Sequence, residues 1–229
     1  MKESWSGTLW YWETPAGQIR RQRRVEMLTR HILKGMTVLE LGCGVGYFTE
    51  YLAQSGANII ANDISPDLLE VARNRVTSSN VTFKLENAYE LSYRDAEFDA
   101  VIGSSVLHHL DIEKALIECH RVLKPGGGIS FTEPNILNPQ IFLERSFKFI
   151  RKLARVSPDE TAFSRWQLLG LLEKCHFTNI RIQPFDFLHP LTPEVLIPIV
   201  SKFGNVLEKA ALLKEISGSL YITAEKKGN

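Results

Sequence analysis

Between Thr37 and Glu133, short apolar runs alternate with segments of helical period, and no other feature of the 229-residue chain narrows its fold as far. Thr37–Leu41, Asn58–Asn62, Val81–Leu85, Asp99–Gly103 and Ile129–Glu133 read as strands, and 47–54, 66–77 and 111–123 as helices between them. Ser65-Pro66 is an N-cap with proline at the first helical position, and Lys124-Pro-Gly-Gly-Gly128 is a turn. Such alternation needs crossover connections, hence a mostly parallel sheet with helices on both faces. Ile180–Phe187 and Ser219–Lys226 bring the sheet to seven strands if the last pairs antiparallel beside the other. A helix over 18–33 precedes the first strand, and the segments 139–156, 164–175 and 193–214 are helical by period.

Composition sets bounds around this frame. With 44% hydrophobic and 23% charged residues, the chain can bury one large core, and a net charge of +1 offers no global attraction for nucleic acid. Cys43, Cys119 and Cys175 lie far apart, without the spacing of zinc or redox motifs. The sequence shows neither a signal-peptide h-region nor an apolar stretch of about 20 residues, which reads as cytoplasmic. The run Arg20-Arg21-Gln-Arg23-Arg24 reads as a solvated helix face rather than an RNA contact.

The first strand runs into Glu40-Leu-Gly42-Cys-Gly44-Val-Gly46, then a helix. Glycines let a backbone turn sharply and approach a ligand, and the helix start offers free N–H groups. Asp63, at the end of the second strand, can accept hydrogen bonds from both hydroxyls of a ribose. A dinucleotide loop wants G-x-G-x-x-G, but Tyr47 or Thr49 stands at its third glycine. Glu40 would also repel a pyrophosphate, whereas it suits a methionyl amino group or a sulfonium. Charge favours S-adenosylmethionine.

Val38-Leu-Glu-Leu-Gly-Cys-Gly-Val-Gly46, Asp63-Ile-Ser, Phe98-Asp-Ala-Val-Ile-Gly103 and Leu123-Lys-Pro-Gly-Gly127 together resemble the class I S-adenosylmethionine-dependent methyltransferases. The resemblance implies a Rossmann-like seven-stranded, mostly parallel sheet with a helical cap. It implies a methyltransferase domain over 36–229 with cap insertions at about 136–160 and 190–215, behind an N-terminal aromatic and basic lid segment over 1–35. It also implies that Glu40 and the loop at Gly42, Cys43, Gly44 and Gly46 hold the methionine part, and that Asp63 takes the ribose. Ile64 would flank the adenine, with Asn87, Ala88 and Ser104 completing the site. Asn87 stands where the family usually has an aspartate, and His176-Phe177 replaces its usual glycine-phenylalanine. S-adenosylhomocysteine is the implied product.

Methyl transfer is an in-line displacement that needs alignment, desolvation and, for some acceptors, a base. His108 and His109, just past the fourth strand, are the candidate bases, with a purely structural role as the alternative. Some relatives bind a metal through Glu-x-x-Glu-His here; Ser105 and His108 replace both glutamates, so no metal is expected. Glu133 reads as the start of a loop or, alternatively, as a base or an acceptor-orienting group. Trp5, Trp10, Tyr11 and Trp12 form either a lid or ordinary packing. The basic amphipathic helix 139–156 could cover an apolar acceptor or touch a membrane as a peripheral contact, against the alternative of a docked surface helix. The acceptor is expected to be a small, hydrophobic or amphiphilic molecule, receiving methyl at O, N or C. The alternatives are an RNA or protein methyltransferase, or a cofactor-binding subunit without catalysis. Oligomeric state is not legible.

Overall fold

The computed structural model describes residues 11–154, 157 and 160–228. Thr14 caps α1 (Pro15–Thr29) by accepting from the Gly17 N–H, with Pro15 at the first position. The helix therefore starts three residues before the period of the sequence predicts. There follow β1 (Thr37–Leu41), α2 (Thr49–Leu52), β2 (Asn58–Asp63), α3 (Pro66–Arg75), β3 (Val81–Leu85), β4 (Phe98–Ser104), α4 (Ile112–Val122) and β5 (Leu123–Pro134). The remainder comprises α5 (Pro139–Ser146), α6 (Lys148–Leu153), α7 (Arg165–Lys174), β6 (Phe177–Phe185), α8 (Ile197–Leu207) and β7 (Ser219–Lys226).

The seven strands lie in the order β3-β2-β1-β4-β5-β7-β6. The first five are parallel, and β7 runs antiparallel to both β5 and β6, as the sequence predicts. Order reverses between β1 and β4, which opens a crevice at the C-terminal strand ends, where such sheets bind ligands. The two-residue period of the strands builds a core on each face. On β1 and β4, Leu39, Leu41 and Val101 pack with Leu116 and Cys119 of α4 and Leu168 and Leu172 of α7. Val38 and Ile102 point the other way and pack with Leu52 and Leu69.

Several expectations are corrected. The segment 139–156 is not one helix: Asn138 caps α5, and Phe147 breaks the chain in an extended conformation (φ −113°, ψ 115°) before α6. The break is held by Arg151, which donates to the Arg145 carbonyl, and by Arg145, whose guanidinium pairs with Glu160 at 2.8 Å. Arg155 and Val156 lie outside the described residues, as do Trp5 and Trp10. The 193–214 segment is helical mainly over α8, and the helix expected from Tyr47 begins at Thr49.

The arginine run is not a solvated face. Arg20 and Arg24 both pair with Asp186 at 2.8 Å, and Arg23 donates to Glu208 at 2.7 Å. Arg21 lies over the Tyr47 and Tyr51 rings. Burial pushes the Arg24 guanidinium down to about 10, with Asp186 opposing the fall. Burial alone would raise the Asp186 carboxyl, but Arg24 and Arg20 outweigh it and hold it below the usual carboxylate range. Breaking such a buried pair strands the other charge and costs about 3–5 kcal/mol. His176 takes a left-handed φ of +66°, the conformation glycine would adopt more easily.

Candidate functional site

The loop from β1 to α2 is built around positive φ: +68° at Gly42, +54° at Gly44 and +82° at Gly46. A β-carbon on Gly42 would sit 2.3 Å from Val106 Cγ2, so the close approach of the two loops requires glycine there. A β-carbon on Gly44 would meet nothing within 4 Å among the described residues; it would project into the open cradle. Gly46 instead packs against Ala72 of α3 and does not line the cavity.

The end of β2 ties this loop down. Asn62 accepts the Cys43 N–H through its carbonyl (2.8 Å) and the Gly42 N–H through Oδ1 (3.2 Å). Asp63 accepts the Gly44 N–H at one carboxylate oxygen and the Ser65 N–H at the other, each at 2.9 Å. The carboxylate is thereby fixed with lone pairs to spare, since each oxygen can accept twice. Asn62 Nδ2 is buried with no hydrogen-bond partner among the described residues. Glu40, fully buried beneath the loop, accepts the Thr49 hydroxyl at 2.6 Å. Burial pushes its carboxyl up to about 7, with Thr49 pulling against the rise and Asp63 adding to it. Burial, with Glu40 nearby, drives the Cys43 thiol far up and keeps it un-ionised and unreactive.

Around this loop lies a cavity of about 450 Å³. Its lining includes Asp63, Ile64, Leu68, Asn87 and Ala88, together with Trp12, Tyr47, Phe48, Val106, His109 and Leu110. Ser104 lies on its wall, hydrogen-bonded to the Thr132 hydroxyl at 2.9 Å. Asn87 is on the wall too, with Oδ1 accepting the Tyr89 N–H at 3.1 Å. Ser105, absent from the expected set, carries a φ of +56° at the turn out of β4, strain that nothing in its residue type announces. Tyr47 and Phe48 were also missed; two aromatics directly after a glycine loop were the available signal.

The two histidines part company. His109 faces the cavity; His108 is buried behind it, its ring centroid 4.1 Å from that of His109. Glu133 is no mere loop start. Its buried carboxylate takes the Val106 and Leu107 N–H groups at 3.0 and 2.8 Å and His108 Nδ1 at 2.7 Å, fixing the turn that carries His109. Burial, reinforced by His108, holds the His109 imidazole below its ordinary value, which favours its neutral form. Glu40 and His108 thus stand one layer behind the cavity wall.

A switch-point crevice, a glycine cradle with space in front of Gly44, and a fixed carboxylate at the end of β2 define a nucleoside-binding Rossmann-like enzyme. The described residues 39–131 match the methyltransferase domain family. The chain is 31% identical over 184 residues to demethylmenaquinone methyltransferase of Tropheryma whipplei, covering 72% of this chain and 76% of that one. It is 31% identical over 214 residues to ubiquinone biosynthesis O-methyltransferase of Coxiella burnetii, covering 85% and 90%. Haemonchus contortus phosphoethanolamine N-methyltransferase 2, solved with S-adenosyl-L-methionine, shares the fold with a TM-score of 0.71 at 17% identity. That alignment spans 99% of this chain but only 57% of the worm protein. The chain belongs to the class I S-adenosylmethionine-dependent methyltransferases and is an enzyme of that kind.

Proposed function

We propose that the enzyme methylates an O, N or C atom of a small hydrophobic or amphiphilic acceptor, with His109 receiving the acceptor's proton where one must leave. The observation that carries this reading is the cavity lining, in which Trp12, Tyr47, Phe48, Val106 and Leu110 accompany the His109 imidazole. A mostly apolar wall with a few polar groups suits a mostly apolar ligand. The relatives named for demethylmenaquinone and ubiquinone biosynthesis point the same way.

Asp63 would hold the ribose hydroxyls, Ile64 and Asn87 the adenine end, and the N–H-bearing loop at Gly42–Gly44 the methionine end. When bound, S-adenosylmethionine supplies an electrophilic methyl group and a neutral thioether leaving group. The chain's own contribution is alignment, exclusion of water by the aromatic wall, and a neutral His109 able to take a proton as the new bond to methyl forms.

The cap supports an acceptor drawn from, or resting at, a lipid surface. Phe142, Phe147, Phe149, Leu153, Val195 and Phe203 are exposed on α5, α6, α8 and the turn before α8. The carboxylates of Glu160, Glu208 and Glu215 are turned inward to Arg145, Arg23 and Arg165, leaving Lys148, Lys152, Lys202 and Lys209 without acidic partners among the described residues. No helix among the described residues is long and apolar enough to cross a membrane. Peripheral contact through α5 and α6 fits this arrangement.

The test is methyl transfer from labelled S-adenosylmethionine to short-chain quinols, polar phenols, total RNA and protein in parallel. Label entering the quinol fraction is the expected result. Label confined to RNA or protein would overturn the acceptor class, and binding without turnover on any acceptor would leave a cofactor-binding subunit.

A further inference from the structure

We propose that Trp12 walls the methyl-transfer end of the cavity and that Asp186 positions it, acting through Arg20 and Arg24. This rests on the cavity being the cofactor site, and on neither the acceptor class nor the role of His109.

Trp12 lies just before α1, 7% exposed, and lines the cavity beside the glycine loop. Its ring meets Phe48 edge-on, centroids 5.6 Å apart and planes at 88°. The Arg24 and Arg20 guanidinium carbons lie 5.3 and 5.7 Å from the indole centroid. Cations at that range are drawn to the electron-rich face of the ring. Both guanidinium groups are in turn fixed by Asp186 Oδ2 at 2.8 Å, and Arg24 donates to Ser219 Oγ at 2.6 Å.

Asp186 is itself constrained. Its φ is +78°, its N–H donates to Glu208 (2.8 Å), its carbonyl accepts the Gly218 N–H (2.8 Å), and Oδ1 accepts the Leu188 N–H (3.2 Å). A strained residue held from four directions is a fixed point. Packing of α1 alone would be served as well by apolar side chains, since buried ion pairs add little net stability. What the cluster adds is direction: it sets where two guanidinium groups stand relative to one indole. The position of that indole is thus set by residues 174 or so places further along the chain, at the end of β6.

The experiment is titration with S-adenosylhomocysteine, followed by calorimetry and tryptophan fluorescence, on wild type, Trp12→Phe, Trp12→Ala, Asp186→Asn and the control Trp166→Phe. Asparagine tolerates the left-handed backbone, so Asp186→Asn removes the charge and keeps the conformation. Trp12→Phe should abolish most of the fluorescence response at near-native affinity; Trp166→Phe should preserve it. Trp12→Ala and Asp186→Asn should each weaken binding about tenfold, with Asp186→Asn also reducing the response of Trp12. If Asp186→Asn does not fold, Arg20→Gln takes its place with the same expectation. A full response in Trp12→Phe would overturn the wall assignment. Native affinity and response in Asp186→Asn or Arg20→Gln would overturn the positioning role. Failure of the wild type to bind would strike the cofactor reading instead.

Discussion

The residues between β1 and β5 and those of the cap both turn carboxylates inward but differ in where their large apolar side chains go. In the first region Glu40, Asp63 and Glu133 all turn inward, and each is met by a hydroxyl or by backbone N–H groups at 2.6–3.0 Å. The apolar side chains of β1 and β4 disappear into cores on both faces. In the cap, carboxylates also turn inward, to arginines, but lysines and large apolar side chains remain outside; Phe149 is 80% exposed. The cofactor is the same in every turnover, so its site can be finished within the chain. The cap, by contrast, leaves Phe142, Phe147, Leu153 and Phe203 exposed as well, the surface on which the proposed peripheral contact rests.

The sharpest way to break this contrast is at Gly42. Gly42→Val drives a side chain into Val106 at a left-handed position, so cofactor binding should be lost and the melting temperature should fall, consistent with about 2–4 kcal/mol of overpacking and backbone strain. Next come Asp63→Ala and Gly44→Val. Each should weaken S-adenosylhomocysteine binding by about a hundredfold, or about 2.7 kcal/mol, while circular dichroism stays native. Wild-type affinity in either would break the idea of a preorganised half.

A smaller effect is expected at His109. Because its neutral form is favoured, the acidic limb of the kcat profile should lie below the ordinary imidazole range, and activity should fall as pH drops through it. In Glu133→Gln, which loosens the turn under His109, that limb should move; an unmoved limb would separate Glu133 from the base.

Glu40 offers a subtler measurement. With burial raising its carboxyl to about 7, a cation bound in the cavity in front of it favours ionisation, so cofactor binding near pH 6.5 should release part of a proton. Calorimetry in buffers of different ionisation enthalpy reads this directly, and Glu40→Gln should abolish it. By the same linkage, the raised value contributes stability to the free protein below pH 4.5, lost as pH rises through about 7. The smallest effect belongs to the cap: Phe149→Ser with Lys152→Gln should leave cofactor affinity within about twofold, since distant sites act independently. The same double variant should weaken sedimentation with anionic vesicles.

How far the sequence could be read follows from the reach of each interaction. The strands Thr37–Leu41, Val81–Leu85 and Ser219–Lys226 coincide with their sequence readings to the residue, because alternation and turn signals are local. Gly42, Gly44 and Asp63 were legible for the same reason, as a loop and the end of the next strand. The arginine run was misread because its partners Asp186 and Glu208 lie more than 160 positions away. Glu133 meets the 106–108 turn only through the β4–β5 pairing, which no spacing in the sequence exposes. The break at Phe147 went unseen because both halves keep helical period; Arg151 and Glu160 decide it from outside the first turn.

The placement of β7 between β5 and β6 has a consequence for synthesis. The parallel strands β1 to β5 can assemble as soon as they leave the ribosome, but β6 has no neighbour to pair with until residues 219–226 exist. The first helix waits as well, since Ser219 takes Arg24 and the Tyr221 hydroxyl donates to the Met27 carbonyl. A nascent chain can therefore hold a formed crevice between β1 and β4 while α1, and with it the position of Trp12, still waits for β7.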